Sequence, residues 1–432
     1  MSRPPFETLI HVPGPNPILR PGIRGAWDDS VIEACNAFKD QHTYYLYYHG
    51  VNTDVDRWGP SAYRLGVATA AHPLGPWTKH GDAPILDLGS PGSWEARHVA
   101  CAAVIKEREN TYLMWYSGCS EEGVWGIGLA TASSPLGPWE RHPDNPLIEQ
   151  FGYMGAVVNN RGTYMMYTEH PIGGTSPDQG PFCLATAQNP EGPWELHFDN
   201  PVLPAGEWGS WDDGGFSEAG MLYHEGLFHT FYGGTKWHKL ESIGYAYSRE
   251  GRIFDKYPGN PVVMRERCPD VSAMAEVHAL FEPPLLYLYH TIRYISRPGE
   301  DIGVHILATR TPFRFEMPLM ALDELAPGQA TDLDACSTIG IENLNTFSLS
   351  VQGRSEADPP ARLVAEVFAS HDGLHFDTAP MKTEKMHVGY GKTSGKSFAV
   401  EPLSMFAKVR LHNEGATHPV TGIDLRATLG CV

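Results

Sequence analysis

The chain has 432 residues, of which 42% are hydrophobic and 19% are charged, and its formal net charge is −19. This length exceeds one ordinary domain and suits a large domain followed by a smaller one. Because the chain has no cluster of Lys and Arg, we expect no nucleic acid partner and a neutral or cationic ligand. Residues 1–6 have no apolar h-region and no later segment approaches a membrane span, which predicts a cytoplasmic protein without a membrane partner.

Seven cysteines are scattered along the chain without C-x-x-C spacing. An odd number without that spacing argues against both a disulfide framework and a zinc site. We therefore expect buried free thiols.

A repeat with a period of about 60 residues runs through most of the chain. Strands of small residues, each followed by a turn, recur at 65–70, 128–132, 183–187, 244–248 and 305–309. An aromatic strand precedes each of them, at 44–48, 112–116, 164–167, 228–232 and 286–290. A unit of about four strands that occurs five times predicts the blades of a five-bladed β-propeller.

The repeat stops near Pro318, and alternating segments follow at 346–351, 363–368 and 407–411. Alternation between polar turns is typical of a small antiparallel sandwich. The sequence therefore predicts an all-β chain, with a five-bladed β-propeller at residues 1–317 and a C-terminal β-sandwich at residues 318–432.

Carboxylates occur where the inner strands of two predicted blades begin. Trp-Asp-Asp followed by a glutamate occurs at 27–33 and again at 211–218. Two carboxylates that face each other across a sugar-sized pocket supply an acid and a base, or an acid and a nucleophile. Glu33 and Glu218 are the expected catalytic pair, because each interrupts an apolar strand where an idle buried charge would be costly. Asp29 is the alternative partner of Glu218.

The other polar residues of these regions divide into structural and substrate-binding candidates. The first acid after each Trp, at Asp28, Glu95 and Asp212, is predicted to be a turn residue that binds backbone amides. Asp29 and Asp213 each have two alternative roles that the sequence does not distinguish: an exposed carboxylate at the rim of the site, or a ligand for a sugar hydroxyl. The candidates for substrate binding are Asp213, Arg97, His98, Glu169, His170, Glu276, Trp125 and Trp237. Trp125 and Trp237, like Trp58, are loop tryptophans that are available to stack on a sugar ring.

Residues 15–315 resemble the five-bladed glycosidases of glycoside hydrolase family 43 and its relatives, families 32, 117 and 130. Segment 217–222, ahead of the aromatic strand 228–232, is similar to the family element that carries the general acid, which implies that role for Glu218. His278, followed by 286–290, is similar to a channel-facing histidine of the last blade. This similarity implies a central water or a metal ion such as calcium at His278, and the chain otherwise requires no cofactor.

The chain departs from the family pattern at two positions. The family base is an aspartate on blade one, where this chain has Glu33 and, four residues earlier, Asp29. The blade-three aspartate that tunes the acid is absent from 151–155, and Arg97 and His98 are the candidates for its role. The C-terminal sandwich is similar to that of family 32 enzymes in placement and size.

These features predict an exo-acting glycosidase for a short oligosaccharide, a furanoside or a pentoside. A glycoside phosphorylase is an alternative, because Arg97, His98 and Arg293 are basic residues that could bind phosphate near the funnel where the predicted blades converge. A non-catalytic carbohydrate-binding propeller is a further alternative. The favoured role of the C-terminal sandwich is a subunit contact in a homo-oligomer. A lid over the funnel and sugar binding are its alternative roles.

Overall fold

The computed structural model describes residues 9–13, 16–169, 180–236, 239–268, 270–310, 313–341 and 344–431. These residues are nearly all-β, and their helical structure is one short α-helix, α1 (Val55–Trp58), and one 3-10 turn, Arg265–Arg267. Neither of these helical segments is long and apolar enough to cross a membrane.

Five antiparallel sheets, I to V, follow one another along the chain after a separate first strand, β1 (Ile10–Pro13). Sheet I contains β2 (Val31–Asp40), β3 (Thr43–Val51), β4 (Tyr63–Ala70) and β5 (Thr78–Lys79). Sheet II contains β6 (His98–Arg108), β7 (Thr111–Cys119), β8 (Trp125–Ala132), β9 (Glu140–Arg141) and β10 (Ile148–Glu149). Sheet III contains β11 (Tyr153–Asn160), β12 (Thr163–Glu169), β13 (Phe182–Ala187) and β14 (Glu195–Leu196).

Sheet IV contains β15 (Gly215–Phe216), β16 (Met221–His224), β17 (Leu227–Lys236), β18 (Lys239–Ser248) and β19 (Asp255–Lys256). Sheet V contains β20 (Val271–Glu282), β21 (Leu285–Tyr294) and β22 (Glu300–Ala308). The first strand, β1, completes sheet V by pairing with β22, which joins the two ends of this part of the chain. The predicted aromatic strands lie in β3, β7, β12, β17 and β21, and the small-residue strands lie in β4, β8, β13, β18 and β22, so both predictions are confirmed.

Two further antiparallel sheets follow. Their strands are β23 (Phe313–Leu325), β24 (Ile339–Gly340), β25 (Thr346–Ser355), β26 (Ala361–Ser370), β27 (Lys382–Val388), β28 (Lys392–Ala399), β29 (Phe406–Asn413) and β30 (Val420–Cys431). Sheet VI has the order β23-β30-β25-β28 and sheet VII has the order β24-β29-β26-β27. Strand β23 crosses the predicted boundary at 317/318, because Pro318 is tolerated on this edge strand, beside a bulge.

The first strands of sheets I, II, III and V each contain a β-bulge, and in sheet IV the segment 217–220 separates β15 from β16. A bulge leaves extra residues unpaired and turns their side chains away from the regular alternation. Two of these residues are non-glycine residues with positive φ, Cys101 at 50° and Glu276 at 47°. The sheets therefore present irregular positions to one another at their inner strands.

Hydrogen bonds at these bulges connect neighbouring sheets. The Ala34 amide donates to Thr291 Oγ1 (3.1 Å), and the Met154 amide donates to Ser117 Oγ (2.9 Å). Sheet IV is joined to sheet V by the Glu276 amide, which donates to Ser217 Oγ (2.9 Å). The Phe216 amide donates to the Gly180 carbonyl, which joins sheet IV to the segment just before β13 of sheet III. The Cys101 amide donates to His49 Nδ1, which joins sheet II to sheet I. Together these hydrogen bonds link sheets I to V in cyclic order.

The tryptophan of each Trp-acid pair packs against a tyrosine, beside sheets I, II and IV. Trp27 stacks on Tyr48 (5.6 Å between ring centroids), and Trp211 stacks on Tyr232 (5.7 Å). Glycine is required beneath the Trp27 ring, because a Cβ on Gly66 would lie 2.7 Å from it. The acids after each Trp are structural, as predicted, but they bind cationic side chains of the outer strands rather than backbone amides: Asp28 with Lys79, Glu95 with Arg141 and Asp212 with Lys256.

One hydrophobic core runs from sheets I and V into sheets VI and VII. It contains Ile32 and Tyr289 from the first part of the chain, and Phe347 and Leu425 from the second. Asn16 also forms an isolated bridge with Thr338. The two parts therefore share buried apolar surface, whose removal from water stabilises both.

Candidate active site

Three buried glutamates from different sheets form the centre of the candidate site. Glu33 lies on β2, Glu276 lies at the bulge of β20, and Glu218 lies between β15 and β16 rather than within a continuous inner strand. Their exposed fractions are 8%, 5% and 8%. The charges of Glu33 and Glu218 both act on Glu276, so the three carboxyl groups belong to one electrostatic site.

Glu33 is surrounded by hydrogen-bond donors. His49 Nε2 donates to its Oε2 atom, while Arg293 Nη2 (3.4 Å) and the Tyr63 hydroxyl (3.5 Å) donate to Oε1. Burial raises the pKa of Glu33, but His49, a hydrogen bond with Glu300 and the charge of Arg293 outweigh burial and hold this pKa well below its ordinary value. Glu33 is therefore the ionised carboxylate of the site.

His49 is oriented from both sides of its ring. The Cys101 amide (3.2 Å) and the Cys35 thiol (3.2 Å) both lie at Nδ1, the nitrogen opposite the one that binds Glu33. An amide N–H can only donate, so Nδ1 carries a lone pair and the ring proton sits on Nε2. Burial lowers the pKa of His49, but the charges of Cys35 and Glu33 outweigh burial and raise this pKa well above its ordinary value. The amide at Nδ1 opposes a second ring proton there, and in either protonation state Nε2 donates to Glu33.

Glu218 has a very different environment. Its Oε1 atom accepts a hydrogen bond from the Cys101 thiol at 3.0 Å. Burial raises the pKa of Glu218, and the negative charge of Glu33 adds to this effect, whereas Cys101 and His49 oppose it. The net upward shift favours the protonated form, as a general acid requires.

Arg293 is held by three carboxyl groups. Its Nε binds Glu300 Oε1 (2.6 Å), and its Nη2 lies 3.4 Å from Glu33 Oε1 and 3.8 Å from Glu276 Oε1. Burial raises the pKa of Glu276 well above its ordinary value, against the charge of Arg293. Burial, together with the hydrogen bond and charge of Glu33, raises the pKa of Glu300 to about 8. Three carboxyl groups therefore share the Arg293 guanidinium. Of these three, Glu33 is ionised, whereas Glu276 and Glu300 are largely protonated.

The two rim aspartates bind their own loops. Asp29 accepts hydrogen bonds from the Gly25 amide and from the Thr53 amide and hydroxyl, each at 2.7 Å. Burial raises the pKa of Asp29, but these hydrogen bonds together outweigh burial and lower it. Asp213 accepts from the Gly209 amide at 2.7 Å, in the equivalent loop of sheet IV. Both oxygens of Asp29 are thus engaged in a turn, which favours Glu33 over Asp29 as the partner of Glu218.

Three candidates lie together at the start of sheet II. His98 stacks on Trp125 (5.8 Å between centroids, 5° between planes), and its Nδ1 accepts the Tyr63 amide at 3.2 Å. Burial, followed by the charge of Arg97, lowers the pKa of His98 to about 4. Trp125 is the first residue of β8 rather than a loop residue, and Arg97 is exposed. Tyr63 connects this group to Glu33, because its amide faces His98 and its hydroxyl faces the carboxylate.

The remaining candidates have mixed positions. Glu169 is buried at the end of β12, opposite Tyr153 and Phe182. His170 and Trp237 lie outside the described residues.

His278 is buried within β20 rather than at a strand start, and neither of its ring nitrogens has a hydrogen-bond partner among the described residues. Burial lowers its pKa to about 3, so the ring is neutral. The described part of the chain contains no group of three or more His, Cys, Asp or Glu side chains that could hold a metal ion. These residues do not fit a protein-built metal centre, and a metal ion at His278 stays a prediction.

The structure adds residues that the sequence analysis did not place in the site. His49 ends the aromatic run of β3, and a polar residue at the end of an apolar strand was the available signal. Arg293 stood out only as a basic residue near the funnel. Cys101, Tyr63 and Glu300 carried no signal, because their proximity depends on contacts between different sheets.

No protein-family model matches the chain, and no curated protein matches it. Solved structures do match. A glycosyl hydrolase from Bacteroides ovatus has a TM-score of 0.53 at 13% identity and covers 71% of this chain and 95% of its own. A thermostable family-43 glycoside hydrolase has a TM-score of 0.50 at 22% identity, and the match covers 67% of this chain and 91% of that hydrolase. The chain shares its fold with these glycoside hydrolases. A further structure described as a glycoside hydrolase has a TM-score of 0.51 at 14% identity, with 69% and 92% covered.

Proposed function

We propose that the protein is a glycoside hydrolase in which Glu218 is the general acid and Glu33 is the ionised partner carboxylate. The observation that carries this proposal is the opposite effect of the surroundings on the two buried carboxyls, since the pKa of Glu33 is lowered and that of Glu218 is raised. Pairs of carboxyls whose pKa values are driven apart are typical of acid and base assignments in enzymes. The shared fold with glycoside hydrolases supports the same reaction class.

The proposed architecture is a five-bladed β-propeller, formed by sheets I to V, with sheets VI and VII as a β-sandwich. The cyclic hydrogen bonds between sheets and the closure of sheet V by β1 support this arrangement. The share of this chain that the solved structures match is comparable with the share of this chain that forms sheets I to V. In a propeller the innermost strands line the central channel, so Glu33, Glu218 and Glu276 would meet there.

The proposed chemistry follows from these protonation states. Glu218 donates its proton to the glycosidic oxygen, and Glu33 either activates a water or attacks the anomeric carbon. His49 and Arg293 hold the carboxylate of Glu33 ionised and in place. Protonated Glu276 can donate to a sugar hydroxyl, and His98 with Trp125 forms an adjacent aromatic wall. Arg97, Asp213 and Glu169 remain candidates for more distant contacts.

Hydrolysis fits the charges of the site better than phosphorolysis. A phosphate needs cations that are free to bind it. Arg293 is already engaged by Glu33, Glu276 and Glu300, and the low pKa of His98 leaves that ring neutral. Of the three basic candidates for phosphate binding, only Arg97 remains available, and its side chain is exposed. A short neutral or cationic oligosaccharide, furanoside or pentoside is the proposed substrate, in a cytoplasmic enzyme that forms homo-oligomers through its sandwich.

A panel of p-nitrophenyl pentosides, hexosides and furanosides tests this proposal, with release of nitrophenol as the readout and the first product anomer followed by NMR. We expect turnover of at least one glycoside, without stimulation by phosphate. Retention would assign Glu33 as nucleophile, and inversion would assign it as base. Turnover that depends on phosphate would instead identify a phosphorylase, whereas binding of sugars without turnover would identify a carbohydrate-binding protein.

A further inference from the structure

Cys101 contacts Glu218 directly and is linked to Glu33 through His49. Its thiol donates to Glu218 Oε1 at 3.0 Å, and its amide donates to His49 Nδ1 at 3.2 Å. His49 in turn donates through Nε2 to Glu33. A single residue of sheet II therefore lies between a carboxyl of sheet IV and the histidine that serves a carboxylate of sheet I.

The backbone at Cys101 makes both contacts available. The residue lies at the bulge between Ala100 and Ala103, with φ of 50°, and it is 5% exposed. A non-glycine residue in this conformation is strained, and such strain persists where the surrounding structure fixes it. The bulge frees the Cys101 amide from the ladder with β7 and directs it across the sheet boundary to His49.

The amide contact determines which nitrogen of His49 carries the proton. Since an N–H donor occupies Nδ1, the proton must sit on Nε2, where it faces Glu33. This hydrogen bond favours the ionised form of Glu33. The same residue thus stabilises the charge of one carboxyl through its backbone.

The side chain contacts the second carboxyl through a much weaker donor. A thiol is a weak hydrogen-bond donor, so it stabilises a Glu218 carboxylate less than a hydroxyl or an amide would. The other groups that face Glu218 are His49 and Glu33 of sheet I and Glu276 of sheet V. Of these, ionised Glu33 disfavours a second negative charge on Glu218, and a weak donor at Cys101 leaves that preference in place.

We infer that Cys101 is a positioning residue that links the two carboxyls: its amide fixes the His49 proton that faces Glu33, and its thiol orients Glu218 through a donor weak enough to leave Glu218 protonated. This inference rests on the proposed function and adds to it a residue that connects the acid to the partner carboxylate. Cys101 is not itself a nucleophile, because burial and the neighbouring Glu218 raise the pKa of its thiol well above the ordinary value. Its position on sheet II also differs from the blade-three location that the family resemblance led us to expect for the tuning residue.

Replacement of the thiol tests the inference without any substrate. In protein labelled with ¹³C at the glutamate carboxyl, the Glu218 signal is assigned by its loss in Glu218→Gln and titrated in wild type, Cys101→Ser and Cys101→Ala. A serine hydroxyl is a stronger donor, so we expect Cys101→Ser to lower the pKa of Glu218 by about 0.5 to 1 unit. Cys101→Ala removes the donor and should raise it. Cys183→Ser, which changes a buried free cysteine of sheet III, is the matched control and should leave the pKa unchanged.

The pH profile of kcat/KM on an active nitrophenyl glycoside gives the second readout. Its alkaline limb should move to lower pH in Cys101→Ser and to higher pH in Cys101→Ala, whereas a merely structural role would lower activity equally at all pH values. A Glu218 pKa that is the same in both variants and wild type would overturn the inference. If no glycoside is turned over, the NMR titration still decides the role of Cys101, and only the proposed function fails.

A measurement on the unaltered thiol covers the case in which the variants do not fold. The infrared S–H stretching band of Cys101 should shift as Glu218 titrates, because the acceptor changes from a carboxylic acid to a carboxylate. Glu218→Gln should abolish this pH dependence. An S–H band that is the same at low and high pH in wild type would contradict the contact on which the inference depends.

Discussion

Arg293 and Glu33 approach each other across sheets V and I, with Nη2 3.4 Å from Oε1. The same guanidinium binds Glu300 and lies near Glu276, so its charge is divided among three carboxyl groups. A buried carboxylate is costly without such a partner. The ionised state of Glu33 therefore depends on an ion pair that spans two sheets.

Glu218→Gln keeps the shape of the side chain and removes the transferable proton. We expect kcat/KM on glycosides with poor leaving groups to fall about 10²- to 10⁴-fold, with a smaller loss for activated leaving groups that need little protonation. The dependence of rate on leaving-group pKa in wild type and variant measures this difference. Glu140→Gln, on the exposed strand β9, is the control. An equal loss for activated and poor leaving groups would remove Glu218 from the role of acid.

Glu33→Gln should abolish turnover of activated and poor substrates alike, because the attacking step requires the carboxylate. Asp29→Asn should have a much smaller effect, since the carboxylate of Asp29 is engaged by Gly25 and Thr53 in its own loop. Steady-state rates of the two variants on one activated glycoside compare them directly. Activity that survives in Glu33→Gln and disappears in Asp29→Asn would transfer the role to Asp29.

Arg293→Met removes the cation that helps to keep the pKa of Glu33 low. Without that charge the pKa of Glu33 rises, so the acid limb of the kcat/KM profile should move to higher pH. Arg108→Met, an exposed arginine at the end of β6, is the control and should leave the limb in place. An acid limb at the same pH in Arg293→Met and wild type would show that His49 and Glu300 suffice to keep Glu33 ionised.

Glu300 should make stability depend on pH in the opposite direction to an ordinary salt-bridged carboxylate. Its folded pKa of about 8 lies above the unfolded value of 4.5, so folding takes up a proton between these pH values. The free energy of unfolding should therefore fall as pH rises through this window, with a contribution from Glu300 of up to about 1.4 kcal/mol per pH unit. Urea unfolding at several pH values should show a flatter dependence for Glu300→Gln. Parallel curves for the variant and wild type would contradict the raised pKa.

A chain that ends at residue 310 should aggregate or melt well below the full chain. The truncation removes Phe347 and Leu425 from a core that they share with Ile32 and Tyr289, and it exposes the apolar surface left behind. Light scattering and thermal melting of the two chains measure the effect. As a milder variant, Leu349→Ala in sheet VI should cost about 2–5 kcal/mol of unfolding free energy. A soluble truncated chain with an unchanged melting temperature would show that sheets I to V are stable alone.

The sequence by itself determined the repeated strands and singled out two carboxyls of the candidate site. Aromatic and small-residue strands have a strong local signal, so β3 and β4 and their counterparts in the other sheets were predictable. Glu33 and Glu218 were singled out because a glutamate in an apolar segment is costly without a function, although Glu218 lies between two strands rather than within one. The structural role of Asp28 and Asp212 followed from their recurrence after Trp.

Tertiary structure decided what those glutamates contact. The closure of sheet V by β1 joins segments almost 300 residues apart, and no local pattern encodes such a pairing. The β-bulges aim Cys101 and Glu276 away from the regular alternation, so strand periodicity does not show where these side chains point. The contacts of Glu33 with His49 and Arg293 exist only once sheets I and V are adjacent. Which carboxyl is protonated is therefore a property of the assembled sheets, because burial and neighbouring charges set the pKa values.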